Sequence, residues 1–168
     1  MPIETNAEAQ QQYLAGACDV YTTDASGLAA TRASFESPAD HVLLPEIISK
    51  EPLGPLVRHG DNDWGDVVRW TLNALITAEE LGVTSANVKD MAAAPTDNPE
   101  VNRLLGTEGE LGAMLGLEAD RAANAIAAGG NFGELFEKNI GENTPIGLAR
   151  GLNALWTEGG LIYSPPFR

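Results

Sequence analysis

The residues with the clearest chemical potential surround Asp24, which ends a short run of β-branched and aromatic residues. The four residues before it, 20–23, predict a strand, and the Ala- and Leu-rich residues after it predict a helix over 25–35. Asp24 is therefore expected at the carboxyl end of a strand, where ligands gather in open α/β sheets. A carboxylate at that edge has the charge to bind a cationic group on a small ligand.

Asp24 also has a purely structural interpretation. Aspartate is one of the residues preferred at a helix N-cap, where its carboxylate accepts hydrogen bonds from the first free amides. From the residues alone, the pattern favours capping over ligand binding. The flanking hydroxyls of Thr22, Thr23 and Ser26 are candidates to orient the carboxylate. Asp19, which opens the predicted strand, is expected to satisfy a turn.

Composition excludes several classes of function. The formal net charge of the 168 residues is −14, which opposes binding to nucleic acid phosphates. Cys18 is the only cysteine, so no intramolecular disulfide forms, and we expect it to be a small buried hydrophobe. His41 and His59 have no partners at ligand spacing, so no metal site is expected. No cofactor fingerprint, nucleophile elbow or phosphate loop is present, so the chain is not expected to be an enzyme.

The predicted organisation changes character near residue 60. Strands are predicted at 2–4, 19–23 and 41–44, with helices over 7–15 and 25–35. Prolines 45, 52 and 55 predict a stiff extended connector. Helices then dominate, and a final strand is predicted in the tail after residue 160. The later helices are predicted at 61–81, 84–93, 99–105, 117–128, 133–140 and 147–157.

Several side chains in the helical region have a structural interpretation. Trp64, Trp70 and Trp156 lie in predicted amphipathic helices, where core packing is far more common than ligand stacking. Glu79 and Glu80 are expected on a solvated face. The glycine-rich run at 129–133 follows a helix rather than a strand, so it is a weak candidate for a phosphate cradle.

Taken together, these segments resemble the polar amino-acid-binding proteins of ABC transporters, and the general L-amino-acid-binding subgroup in particular. Residues 15–28, Ala-Gly-Ala-Cys-Asp-Val-Tyr-Thr-Thr-Asp-Ala-Ser-Gly-Leu, are similar to a family run with two aspartates around a short strand. Residues 44–55 and 58–61 resemble the family's crossover strands. Residues 131–141 resemble a late helix, and residues 147–156 and 163–166 resemble the subgroup's ending.

The resemblance implies a fold, a domain division and a role. It covers nearly all of this chain but only about the carboxyl-terminal half of the family. It implies an α/β architecture, a partial periplasmic-binding-protein type II fold with a helix-rich carboxyl-terminal portion. Residues 1–45 would be part of the second lobe and 46–60 a hinge-like connector. Residues 61–168 would be the mainly helical remainder of the first lobe with a carboxyl-terminal extension.

The implied function is the capture of L-amino acids, without catalysis, for an ABC permease. In the family, a second-lobe carboxylate meets the ligand's α-ammonium, and the matching residue here is Asp24. Earlier family segments hold the ligand's α-carboxylate, so binding by this chain alone is expected to be weak or absent. The alternative is a stand-alone interaction or oligomerisation domain that keeps the fold without binding ligand.

The resemblance also bears on the oligomeric state and the location of the protein. In the family, both pieces of this chain pack against segments that precede them, so their apolar faces are expected to be covered by a second copy in a homo-oligomer. The resemblance implies a periplasmic location. The opening residues carry no cationic or apolar region typical of a signal peptide.

Overall fold

Seven α-helices form the regular structure of residues 3–167, the part of the chain that this computed structural model describes. Short 3-10 turns at Pro38–Asp40, Ala113–Leu115, Gly151–Asn153 and Trp156–Glu158 connect or follow them. The helices are α1 (Asn6–Leu14), α2 (Ala25–Ser34), α3 (Asn62–Glu80), α4 (Val88–Met91), α5 (Pro99–Leu105), α6 (Arg121–Gly129) and α7 (Phe132–Asn139).

The chain divides into two compact units, one ending at Pro52 and the other beginning at Leu53. The division falls within residues 46–60, where the prolines predict a connector. In the first unit, α1 begins after Thr5, whose hydroxyl accepts a hydrogen bond from the Glu8 amide at 3.2 Å. Tyr13, Phe35 and His41 form an aromatic cluster there, and the Tyr13 hydroxyl lies 2.8 Å from His41 Nδ1.

The predicted sheet is not formed within residues 3–167. Residues 19–23 and 41–44 are irregular, and the described residues contain one isolated parallel bridge, between Leu155 and Ile162, instead of strands. The strand predicted at 2–4 begins at Pro2, which lies outside the described residues. A strand needs a neighbouring strand to satisfy its backbone hydrogen bonds. Within residues 3–167 the segments around Val20 and Val42 pair with no other strand, and both side chains are exposed. The strands predicted at 19–23 and 41–44 are thus wrong, whereas the predicted helix-rich carboxyl-terminal portion is confirmed.

The second unit is organised around α3. Asp61 caps this helix by accepting a hydrogen bond from the Trp64 amide at 3.2 Å, and Gly82, with a φ of 69°, follows its end. One face of α3 packs against α5, α6 and α7, and α6 in turn contacts α4 and α5. The core of this unit consists of Ala74, Ala78, Val83, Val88, Val101, Leu104, Leu105, Ala122, Ala123, Ile126 and Phe167.

The helix predicted over 147–157 is replaced by two 3-10 turns. Gly147 and Gly151 adopt φ values of 65° and 49°, which are incompatible with a right-handed helix. The strand predicted in the tail is reduced to the single bridge at Ile162. Among residues 3–167, no helix combines the length and apolar character needed to cross a bilayer.

Candidate functional site

Asp24 begins α2 with an extended backbone, at φ −61° and ψ 151°. Its carboxylate Oδ2 accepts hydrogen bonds from the Gly27 amide and from the Ser26 hydroxyl, each at 2.7 Å. The other oxygen, Oδ1, has a longer contact of 3.4 Å with the Thr23 hydroxyl. The capping interpretation of Asp24 is therefore confirmed, and most of the local hydrogen bonding falls on one of its two oxygens.

These donors also fix the charge of the site. The Ser26 hydroxyl and, next, the Gly27 amide hold the pKa of Asp24 below its ordinary value of 3.8 because both stabilise the ionised carboxylate. Asp24 is partly buried and is negatively charged at neutral pH. A partly buried, oriented carboxylate of this kind is suited to receiving an ammonium or guanidinium group.

Gly27 is the residue of this site that sequence reasoning missed. A Cβ placed on Gly27 would lie 2.8 Å from Asp24 Oδ1 and 3.1 Å from Oδ2. Glycine is unfavourable inside a helix, but here it lets the carboxylate approach the backbone closely. An aspartate followed three residues later by a glycine was the available signal.

The structure brings two of the three predicted hydroxyls to Asp24. Thr23 and Ser26 donate to its carboxylate, whereas Thr22 is exposed and makes no hydrogen bond to Asp24 within the described residues. Cys18 is exposed, so the prediction that it is buried is wrong. The irregular backbone before α2 explains this, because without a sheet there is no interior for residues 17–23 to line.

In the second unit, Arg150 links the carboxyl-terminal segment to α3. Its guanidinium binds both carboxylate oxygens of Glu79, at 2.9 and 3.2 Å, and lies 5.1 and 5.5 Å from the ring centroids of Phe136 and Phe132. Gly133 makes room for this ion pair, since a Cβ there would lie 2.7 Å from Glu79 Oε1. Glu79 is therefore not on a solvated face as predicted.

The glycine-rich run at 129–133 forms a helix cap rather than a phosphate cradle. Asn131 and Glu134 form a reciprocal capping box at the start of α7. The Asn131 side-chain amide also donates to the Val83 carbonyl at 2.9 Å, and Glu134 accepts from the amide and hydroxyl of Ser85 at 2.9 and 2.6 Å. These bonds anchor α7 to the loop that follows α3.

Two open cavities lie in the second unit. One, of about 490 Å³, is lined by α4, α6 and the loops around Gly106 and Asp120. The other, of about 410 Å³, lies between α3 and residues 163–167. Over residues 3–167, no group of three or more His, Cys, Asp or Glu side chains is arranged to hold a metal ion.

Relatives of this chain are named for amino-acid binding. It is 64% identical over 166 residues to the glutamate/glutamine/aspartate/asparagine-binding protein BztA of Rhodobacter capsulatus, covering 99% of this chain and 49% of that protein. It is 54% identical over 167 residues to the general L-amino acid-binding periplasmic protein AapJ of Rhizobium johnstonii, covering 98% of this chain and 48% of that one. No family model matches the sequence.

A solved structure of a periplasmic binding protein is also similar to this chain. A Brucella ovis protein described as an ABC transporter periplasmic binding protein with glutathione bound superposes with a TM-score of 0.89 and 52% identity. The match covers 99% of this chain and 52% of that one. This chain is a relative of the amino-acid-binding proteins of ABC transporters. It spans about half the length of the curated relatives that it matches.

The kinship confirms the resemblance read from the sequence and gives the fold as that of a periplasmic binding protein. It also confirms the expectation that the chain is not an enzyme, since BztA and AapJ are both named as binding proteins. The helix-rich structure is consistent with part of such a fold. The comparisons give no support for the predicted homo-oligomer, which stays a prediction.

Proposed function

We propose that this chain is part of the solute-binding component of an ABC-type amino-acid uptake system, and that Asp24 receives the α-ammonium group of the ligand. The observation that carries the proposal is the Asp24 carboxylate itself, ionised and held at the start of α2 by Ser26 and Gly27. The chain would bind L-amino acids without catalysis and pass them to a membrane permease, in the periplasm.

The ligands named for the relatives share one chemical feature. Glutamate, glutamine, aspartate, asparagine and glutathione all carry an α-ammonium beside an α-carboxylate, although their side chains differ in charge and size. A site for all of them needs an anionic group for the ammonium and a cationic or amide-rich group for the carboxylate. Asp24 supplies the first, and its Oδ1, with one long contact to Thr23, is the oxygen left for the ligand.

Capping and ligand binding are compatible at Asp24 because they use different oxygens. The Ser26 and Gly27 donors hold Oδ2, which fixes the direction in which Oδ1 presents its lone pairs. A carboxylate oriented before the ligand arrives loses little further freedom on binding. Thr23 and Ser26 thus serve as positioning residues, whereas Thr22 contributes no hydrogen bond to Asp24 within the described residues.

The domain assignment belongs to the same proposal. Residues 1–45 would contribute to the second lobe of a type II periplasmic binding fold, and 61–168 to the first lobe and its extension. Residues 46–60 would form the hinge, with the unit boundary at Pro52 lying inside it. Outward-facing apolar residues in this segment and just before it, at 42, 44, 47, 48, 53 and 56, are what this region would offer to the sheet of a longer protein.

The same exposed residues favour a second candidate, a stand-alone domain that associates with itself. Val42 and Ile48 are 80% and 86% exposed, and large exposed apolar patches rarely stay bare on a monomer. Under that alternative, the chain keeps part of the fold, forms a homo-oligomer and binds no amino acid.

The decisive experiment adds the half of a relative that this chain does not match. The half of BztA that this chain does not match would be co-expressed with it, and the purified complex titrated with L-glutamate and L-glutamine by calorimetry. Asp24→Asn keeps the N-cap but loses the charge that binds ammonium. We expect a loss of about 1.5–3 kcal/mol, or roughly ten- to hundredfold in Kd.

Asp19→Asn is the matched control, since it removes an exposed acid five residues away and should leave the affinity unchanged. Equal affinity of the parent complex and the Asp24→Asn complex would reduce Asp24 to a helix cap. Absence of binding by a folded parent complex would favour the stand-alone alternative.

A further inference from the structure

An exposed aromatic groove lies in the second unit, away from Asp24 in the sequence. One wall is the end of α3, with Thr77 and Glu80 and the following Leu81, and the other is the segment 163–167. Trp156 and Glu100 complete the lining of this cavity of about 410 Å³. We call it the α3–tail groove.

Two aromatic side chains at the groove face solvent. Trp156 is 58% exposed and Tyr163 is 69% exposed. Tryptophan is usually largely buried, and Trp70 of the same unit fits that rule, packing edge-on against Phe167 with 5.4 Å between ring centroids. The expectation that Trp156 belongs to the core is therefore wrong. Its ring offers an open π face at the edge of a cavity.

The Trp156 ring is held in place while it is exposed. Its indole Nε1 donates to Glu80 Oε1 at 3.2 Å, which sets the ring beside a carboxylate. Pro165 and Pro166 stiffen the opposite wall because their φ angles are fixed. The Arg103 side chain donates to the Phe167 carbonyl at 2.9 Å and ties that wall to α5. A groove fixed in advance binds with a smaller entropy cost.

The charge of the groove selects its occupant. Its two ionisable carboxylates are Glu80 and Glu100, and neither takes part in an ion pair within residues 3–167. No Lys, Arg or His is among the described residues that line it. A carboxylate beside an open indole face is complementary to a cation, and a guanidinium suits it best because it both stacks on aromatics and pairs with carboxylates.

We propose that the α3–tail groove docks a protein segment that presents arginine or lysine side chains. One cationic side chain lies over the Trp156 ring and pairs with Glu80, and Glu100, which also lines the groove, receives a second charge. The net charge of −14 adds long-range attraction for such a segment. The groove belongs to the second unit and Asp24 to the first, and the inference does not depend on the proposed amino-acid contact at Asp24.

The test uses the purified chain and a defined probe. An acetylated and amidated hexapeptide of alternating glycine and arginine would be titrated by calorimetry, beside the same peptide with citrulline in place of arginine. Citrulline keeps the shape and loses the charge. We expect saturable binding of the arginine peptide that weakens with added salt, and no binding of the citrulline peptide.

Variants assign the binding to the groove. Glu80→Gln keeps an acceptor for the Trp156 indole, and Trp156→Ala removes the π face. Each should weaken the arginine peptide about fivefold or more, which corresponds to the loss of one cation–π or charged contact. Trp156→Phe keeps an aromatic face if the alanine variant is unstable, and should bind better than Trp156→Ala.

Matched controls separate the groove from general charge attraction. Trp64→Ala removes another exposed tryptophan, and Glu110→Gln another exposed acid, both outside the groove. Both controls should bind as the parent does. Equal loss in the controls, or binding of the citrulline peptide, overturns the proposal. The proposal is also overturned if the chain forms a dimer that Trp156→Ala dissociates and the arginine peptide does not, because a second copy then occupies the groove.

Discussion

Replacing Arg150 with methionine should destabilise the second unit substantially. The guanidinium bonds to both carboxylate oxygens of Glu79 and to the Asn153 carbonyl, at 2.9 Å from Nη2, and it lies over the rings of Phe132 and Phe136. The side chains of Arg150 and Glu79 are only 18% and 15% exposed. Methionine fills similar space without charge, so the variant leaves the Glu79 carboxylate without its cation.

The magnitude follows from this burial. Removing one partner of a fully buried ion pair costs about 3–5 kcal/mol, whereas an exposed pair contributes about 1 kcal/mol or less. At 15–18% exposure the pair lies nearer the buried limit, so we expect Arg150→Met to lower the free energy of unfolding by about 2–4 kcal/mol. In a double-mutant cycle with Glu79→Met, the coupling energy should be about 1–3 kcal/mol.

Urea unfolding followed by tryptophan fluorescence is the appropriate assay. Trp64, Trp70 and Trp156 all lie in the unit that begins at Leu53, so the signal reports that unit alone. Gly133→Ala is a second test, because its Cβ would press on Glu79 and displace the pair without removing it. A loss below about 1 kcal/mol for Arg150→Met, or a coupling energy below about 0.5 kcal/mol, would refute the assignment of this pair as the anchor of the carboxyl-terminal segment.

Three further predictions concern other parts of the chain. Asp24→Ala should destabilise α2 by about 1 kcal/mol, whereas Asp24→Asn should be nearly neutral. The pKa of Asp24 is lowered in the folded state, so the stabilisation by its carboxylate is complete above the ordinary pKa of 3.8. That stabilisation is lost as the pH falls through the folded pKa, which circular dichroism at graded pH measures. Asn131→Ala breaks the capping box and leaves the buried Val83 carbonyl without its donor, so urea unfolding should show a loss of about 2–3 kcal/mol, and a loss no larger than an ordinary cap removal would contradict the role of the Val83 bond. Light scattering at micromolar concentration should find a homo-oligomer that Val42→Ser with Ile48→Ser dissociates, and a well-folded monomeric parent would dispose of that prediction.

Sequence reasoning was most accurate where the determinants were local. The helix predicted at 99–105 is observed with the same bounds, because Pro99 favours a first helical turn and Gly106, with a φ of 75°, favours an end. The long helix α3 is observed within one residue of its predicted ends for the same reason, since Asp61 and Gly82 mark them. The cap at Asp24 was likewise visible in the sequence.

The failures share a physical cause, which is dependence on distant partners. Residues 19–23 have the composition of a strand, but a strand forms only beside another, and none pairs with it in residues 3–167. The exposure of Cys18 follows from that. Arg150 and Glu79 are 71 residues apart, so no local pattern marks them as a pair. The exposure of Trp156 depends on the turn that Gly151 and its neighbours impose on the helix predicted at 147–157.

The prolines of the segment between residues 42 and 57 have a consequence for aggregation. Seven apolar side chains are exposed there, which in a flat strand would create an edge able to pair with strands of other chains. Pro45, Pro52 and Pro55 each lack an amide donor and interrupt that ladder every few residues. They therefore act as gatekeepers. The exposed side chains of the segment can still pack against a complementary apolar surface, whereas the prolines make the segment a poor template for strand pairing in a fibril.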